Sequence, residues 1–143
     1  MDGNPAPLAR SIAILDGRPE YARMLASLAA EDHHSIPIEL FSCPDAAQQW
    51  IEAAPSPVVV LVDIAASNGL FIERAMQWRA RMGVVLVAMF DQGTDEDVER
   101  AGALVVDATF AKPSRKDMWA PSFGSFLRDT LLPDRLAPLD SSV

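Results

Sequence analysis

Apolar residues along this chain fall into short solid runs, separated by stretches where they recur every three or four positions. The run Val58–Asp63 is aliphatic up to its last residue, and Val84–Phe90 repeats the pattern. A strand of that composition has both faces covered, the mark of a central position in a parallel sheet. Ile12–Leu15, closed by Asp16-Gly17, predicts a strand followed by a turn. Ile36–Phe41 predicts a second strand, at an edge because Pro37 lacks a ladder donor. Leu104–Phe110 predicts a fifth, less uniform because of Asp107 and Thr109.

The intervening stretches predict helices. Pro19 opens one whose apolar face is Tyr21, Met24, Leu25 and Leu28. Ser42 stands where it can cap a helix running through Ala54, with Ala46, Trp50 and Ile51 on one side. Beyond the Asn68-Gly69 turn, Leu70–Met82 is helical in composition, and Thr94 to Asp97 has the capping-box form for a helix ending near Gly102. Trp119, Phe123, Phe126, Leu127 and Leu131 make the apolar face of a last helix, which Pro133 ends. Pro121 leaves its start open, since an interior proline kinks a helix. Residues 1–10 read as a loose lead-in, 11–132 as the folded domain and 133–143 as a frayed tail. Five strands alternating with five helices predict a doubly wound α/β fold, a parallel sheet covered on both faces.

Composition narrows the classes. The chain has 143 residues, 50% hydrophobic and 22% charged, enough for one domain that buries roughly 70% of its unfolded surface. Twenty acids against 12 bases argue against a nucleic-acid groove. No uninterrupted apolar run, Pro57–Val62 and Val84–Phe90 included, approaches the ~20 residues that span a bilayer, so no membrane partner is expected. The N-terminus lacks the basic start and apolar stretch of a secretory signal, and a cytoplasmic protein is expected. The single cysteine, Cys43, makes no internal disulfide and reads as a small, partly buried residue. His33-His34 in an acidic loop and the acids Glu96, Asp97 and Glu99 read as solvated, and the three tryptophans as helix packing.

Chemistry in such folds sits beyond the carboxyl ends of the strands. Asp16, Asp63 and Lys112 stand there after the first, third and fifth strands, with Ala88–Phe90 at the fourth. An acid directly after five buried aliphatics needs a reason, because an unpaired buried carboxylate is costly. Two carboxylates offer oxygen ligands to a magnesium ion, a lysine pairs with a phosphoryl oxygen, and an aspartate can form an acyl phosphate. Together they point to phosphoryl transfer onto a protein aspartate. No glycine-rich phosphate loop and no Ser-His-Asp set accompanies them, and no enzyme is expected.

These residues resemble the CheY-like receiver domain of bacterial response regulators, over about residues 10–132. The resemblance rests on Ile-Ala-Ile-Leu-Asp at 12–16, Val-Val-Val-Leu-Val-Asp-Ile at 58–64, Asn68-Gly69, Ala101-Gly102-Ala103 and Ala-Lys-Pro at 111–113, with the two aspartates about 47 residues apart. It implies a flavodoxin-like sheet of order 2-1-3-4-5. It also implies that Asp63 is the phosphoacceptor and that Lys112 contacts the phosphoryl group. Asp16, Asp63 and the carbonyl of Ala65 would hold Mg²⁺. A histidine kinase or phosphotransfer protein would be the donor. With no effector domain after residue 132, output would run through protein contacts or a phosphate shuttle, and the face of the fourth helix, fifth strand and fifth helix would support partner binding or a homodimer.

The sequence also departs from that family. The second acid usual after the first strand is Gly17, so weak Mg²⁺ binding is expected. The hydroxyl residue usual at the end of the fourth strand is Ala88, and the switch aromatic three before the lysine is Thr109. The alternative to a phosphorylated receiver is therefore a pseudo-receiver, a binding module that keeps the fold without the phosphorylation.

Overall fold

The computed structural model describes residues 10–32, 36–55, 57–91, 95–113 and 115–127. Five strands form one parallel sheet: β1 (Ser11–Leu15), β2 (Ile38–Phe41), β3 (Val58–Asp63), β4 (Val85–Asp91) and β5 (Ala108–Lys112). Their order is β2-β1-β3-β4-β5. The helices are α1 (Pro19–Asp32), α2 (Pro44–Ala53), α3 (Leu70–Met82), α4 (Asp95–Gly102) and α5 (Trp119–Phe126). This is the doubly wound architecture the sequence pattern predicts. The lead-in over residues 1–9, His33-His34, Thr94, Leu131 and the tail over 133–143 lie outside the described residues.

Alternation along the strands builds two cores. Ala13, Leu15, Val58, Val60 and Val62 face one side with Ile51, Phe71 and Trp78 of α2 and α3. Ile12, Ile14, Val59, Leu61 and Met89 face the other with Leu25 of α1 and Trp119 and Phe123 of α5. Every residue of β1 and β3 is buried, as their apolar composition requires. On the second face Phe110 packs against the rings of Trp119, Phe123 and Phe126, with centroids 5.1–6.4 Å apart. Trp78 is buried and donates its indole N–H to Gln48, while Trp50 packs on Phe41.

Some boundaries differ from expectation, each for a local reason. β2 starts at Ile38, after Pro37, and pairs only with β1. Cys43, not Ser42, is the N-cap of α2: its backbone is extended and Pro44 takes the first helical position, where a missing N–H costs nothing. Cys43 is exposed rather than partly buried. The 3-10 turn Ala66–Gly69 precedes α3, and Gly69, at φ 89°, supplies the left-handed residue that starts the helix. β4 runs one residue past Phe90 to Asp91.

The largest shift is in β5, which begins at Ala108 rather than Leu104. Asp107 breaks the apolar run. Its N–H donates to Leu86 O and its carboxylate accepts the Leu86 N–H, so side chain and backbone together dock the chain before the ladder starts. Val105, read as strand, is instead 63% exposed. Pro121 is the third residue of α5, in the first turn, where helical N–H groups have no intrahelical partner and a proline does no harm.

Candidate functional site

Parallel strands all point their carboxyl ends the same way, so the last residues of β1, β3, β4 and β5 meet at one edge. Asp16 follows Ile12 and Ile14 in the alternation. Asp63 follows Val59 and Leu61, Asp91 follows Val87 and Met89, and Lys112 follows Phe110. All four therefore extend the α1–α5 face past the end of its apolar core. Register reinforces the convergence: Asp63 pairs with Met89, and Asp91 with Lys112.

Lys112 is the hub. Its Nζ donates to Asp16 Oδ2 at 2.6 Å and to Asp63 Oδ2 at 3.2 Å. The lysine and Asp16 side chains are almost fully enclosed, and Asp63 retains 10% exposure. That remnant matters, because it opens Asp63 onto a cleft of about 400 Å³ lined also by Gly17, Arg18, Ala65, Ser67 and Asp91. Asp63 Oδ1 accepts the Ala65 N–H at 3.1 Å, and Asp16 Oδ1 accepts the Arg18 N–H at 2.9 Å, so both carboxylates are held by the loop that follows their own strand. Ser67 adopts φ 50° at the cleft wall, a left-handed conformation that non-glycine residues adopt sparingly.

Two residues of the cleft were not singled out in the sequence. Arg18 reaches across it: Nη2 donates to Asp91 Oδ1 at 3.1 Å and lies 3.7 Å from Asp63 Oδ2, while Nε lies 3.9 Å from Asp16 Oδ1. Burial works against the guanidinium charge, but the hydrogen bond to Asp91 and the fields of Asp91, Asp16 and Asp63 outweigh it and raise the pKa above the ordinary arginine value. Asp91 lies one residue past Phe90, where the apolar run predicts the fourth strand to end. One signal was available: an acid closing a buried strand, as at Asp63.

Ala88 is fully buried in the α2–α3 core, which Ala66 of the cleft wall shares, and it pairs with Thr109, which is exposed. The nearest ring, Phe110, is locked in the α1–α5 core.

The residues present do not fit a magnesium ion. Such an ion wants octahedral oxygen ligands at about 2.0–2.1 Å and several waters. Here one oxygen of each carboxylate already faces the Lys112 ammonium, Gly17 adds no acid, and a guanidinium stands between Asp16, Asp63 and Asp91. Among the described residues no group of three or more His, Cys, Asp or Glu side chains is arranged to hold a metal.

A second cleft, of about 280 Å³, lies at the opposite end of the sheet between Ile51, Val58, Met82 and Val84. Among the described residues its charged lining is Glu52, amid apolar side chains. Among the described residues no helix is long and apolar enough to cross a membrane.

Comparison with solved structures gives the fold. The chain is similar to the signal receiver domain of a DNA-binding response regulator from Colwellia psychrerythraea 34H, at TM-score 0.62 and 21% identity, covering 82% of this chain and 97% of that one. A response regulator receiver domain from Rhodospirillum rubrum gives TM-score 0.62 at 13% identity over 79% and 87%. NtrX from Brucella abortus gives 0.67 at 16% identity, over 94% of this chain but 29% of the longer NtrX chain. No family model and no curated protein sequence matches. The chain thus has the receiver-domain fold, in a divergent sequence.

Proposed function

We propose that this chain is a signalling receiver that takes a phosphoryl group on Asp63 from a histidine kinase or phosphotransfer protein and acts through protein contacts. One observation carries the reading: Asp63 closes a wholly buried strand yet opens onto a solvent-connected cleft, with its Oδ2 facing both Lys112 and Arg18. A carboxylate so placed is accessible to a donor, and the two cations stand where negative charge develops during transfer. The face of α4, β5 and α5 is the proposed contact surface for a partner or a second copy. It is flanked by the exposed apolar side chains Val105 and Met118.

A phosphorylation-independent binding module is the second reading. Gly17 at the cleft and cations already paired with Asp63 favour it. Intact mass after incubation with acetyl phosphate separates the two. The receiver reading expects one added phosphoryl group on the wild type and none on Asp63→Asn. No gain from acetyl phosphate or from a phosphohistidine donor would favour the binding module.

A further inference from the structure

An aspartate that accepts a phosphoryl group brings two anions together, so positive charge must lie beside them. Lys112 supplies one such charge. The second is already built into the chain. Arg18 sits among Asp16, Asp63 and Asp91, within 3.1–3.9 Å of a carboxylate oxygen of each. An ion bridging Asp16 and Asp63 at metal–oxygen distances would have to displace that guanidinium.

Its placement is fixed from three sides. The Arg18 N–H is tied to Asp16, Pro19 begins α1 immediately afterwards, and Asp91 grips the guanidinium from the outer rim. The adjacent Gly17 removes the carboxylate that would have drawn a metal in. Backbone clearance does not demand glycine there: a Cβ at position 17 would meet only Ala66, at an ordinary 3.8 Å. Loss of an acid and gain of a guanidinium in consecutive residues change the cleft in the same electrostatic direction.

We propose that Arg18 takes the place of a divalent cation in this cleft, so that the cleft excludes the metal and a phosphoryl group at Asp63 is held by Arg18 and Lys112 alone. The second half rests on the reading of Asp63 as the acceptor; the first does not. In the transfer step Asp63 Oδ2 attacks the phosphorus of an acyl phosphate donor. The bond between phosphorus and the donor's acyl oxygen breaks, its electron pair leaves with the donor carboxylate, and Asp63 becomes the new acyl phosphate. The forked N–H groups of arginine suit two phosphoryl oxygens at once, a geometry a lysine point charge lacks.

Two measurements test this. In the first, Mn²⁺ binding is followed by electron paramagnetic resonance. Arg18→Ala and Arg18→Gln should bind at least about tenfold more tightly than the wild type, because a unit charge a few ångströms from the metal is gone. Equal affinity in all three proteins, tight or absent, would overturn the exclusion. In the second, intact mass is followed with acetyl phosphate in excess chelator and again in Mg²⁺. The wild type should gain its phosphoryl group equally in both, and both Arg18 variants should slow about a hundredfold in chelator. A wild-type gain that requires Mg²⁺ overturns the inference while leaving Asp63 as acceptor. No gain in either buffer overturns the acceptor reading, and the manganese comparison then decides the role of Arg18 by itself.

Discussion

β5 carries an aspartate–cation cluster at each end, and the two are built on opposite terms. At its amino end Arg79 of α3 meets Asp107 through two parallel hydrogen bonds of 2.9 and 3.0 Å, and the same carboxylate accepts the Leu86 N–H at 2.8 Å. Both side chains keep about a third of their surface in water. At its carboxyl end Lys112 is nearly sealed and shared between Asp16 and Asp63. The first arrangement keeps its charges solvated and joins α3, β4 and β5. The second takes charge out of water, at several kcal/mol per ion, and brings three aspartates to two cations. A fold gains little stability that way, so the carboxyl-end cluster is explained by chemistry and the amino-end pair by architecture.

The widest gap between the two should appear when the cation is removed. Lys112→Met leaves Asp16 and Asp63 facing each other without their shared ammonium, and urea denaturation should show a loss of about 3–5 kcal/mol. Adding Asp16→Asn and Asp63→Asn to that variant should return most of the stability, since a neutral cluster has no charge to compensate. A loss below about 1 kcal/mol from Lys112→Met would place the lysine on a par with exposed pairs and break the contrast.

Asp107 comes next. Asp107→Ala orphans the Leu86 N–H as well as releasing Arg79, and should cost about 1–2 kcal/mol by the same measurement. Its pH dependence has a definite sign. Burial raises the Asp107 pKa, but the hydrogen bond from Arg79, the Leu86 N–H and the arginine's charge prevail, leaving it below the ordinary carboxylate value. The folded pKa is therefore lower than the unfolded value of about 3.9. The stabilisation is complete above that value and is lost as pH falls through the folded pKa. The stability difference between wild type and Asp107→Asn should be flat near neutrality and narrow below about pH 4, whereas a difference unchanged down to pH 3 would contradict the pairing.

The contrast also explains which parts of the molecule were readable beforehand. Strands β1, β3 and β4 announce themselves because burial on both faces demands unbroken apolar runs, and their order of appearance with helices between them yields the doubly wound sheet. Asp16, Asp63 and Lys112 were legible because each ends a strand that is otherwise apolar. β5 was misplaced by four residues because Leu104–Val106 is as apolar as a strand, while the docking of Asp107 onto Leu86 is a tertiary contact with no local pattern. Arg18 is not legible for a related reason: a long side chain in a loop can point anywhere, and it is tertiary contacts, its N–H on Asp16 and its guanidinium on Asp91, that turn it inward. Ala88 and Thr109 show in the sequence as positions without the usual hydroxyl and ring, but their pairing across β4 and β5 is a matter of register that only the folded sheet displays.

The smallest effect belongs to Arg79 itself. Its guanidinium is held above the ordinary arginine value by the hydrogen bond and charge of Asp107, so it stays charged at every pH of interest. Yet it stands partly in water, where an ion pair contributes little and is screened by salt. Arg79→Gln should therefore cost less than Asp107→Ala, and the deficit should shrink further in 1 M salt, because Asp107 keeps the Leu86 N–H whether or not the arginine is present. If the two variants lost equal stability at every salt concentration, the carboxylate would be acting only through Arg79. The amino-end cluster would then owe its strength to the ion pair rather than to the backbone it docks.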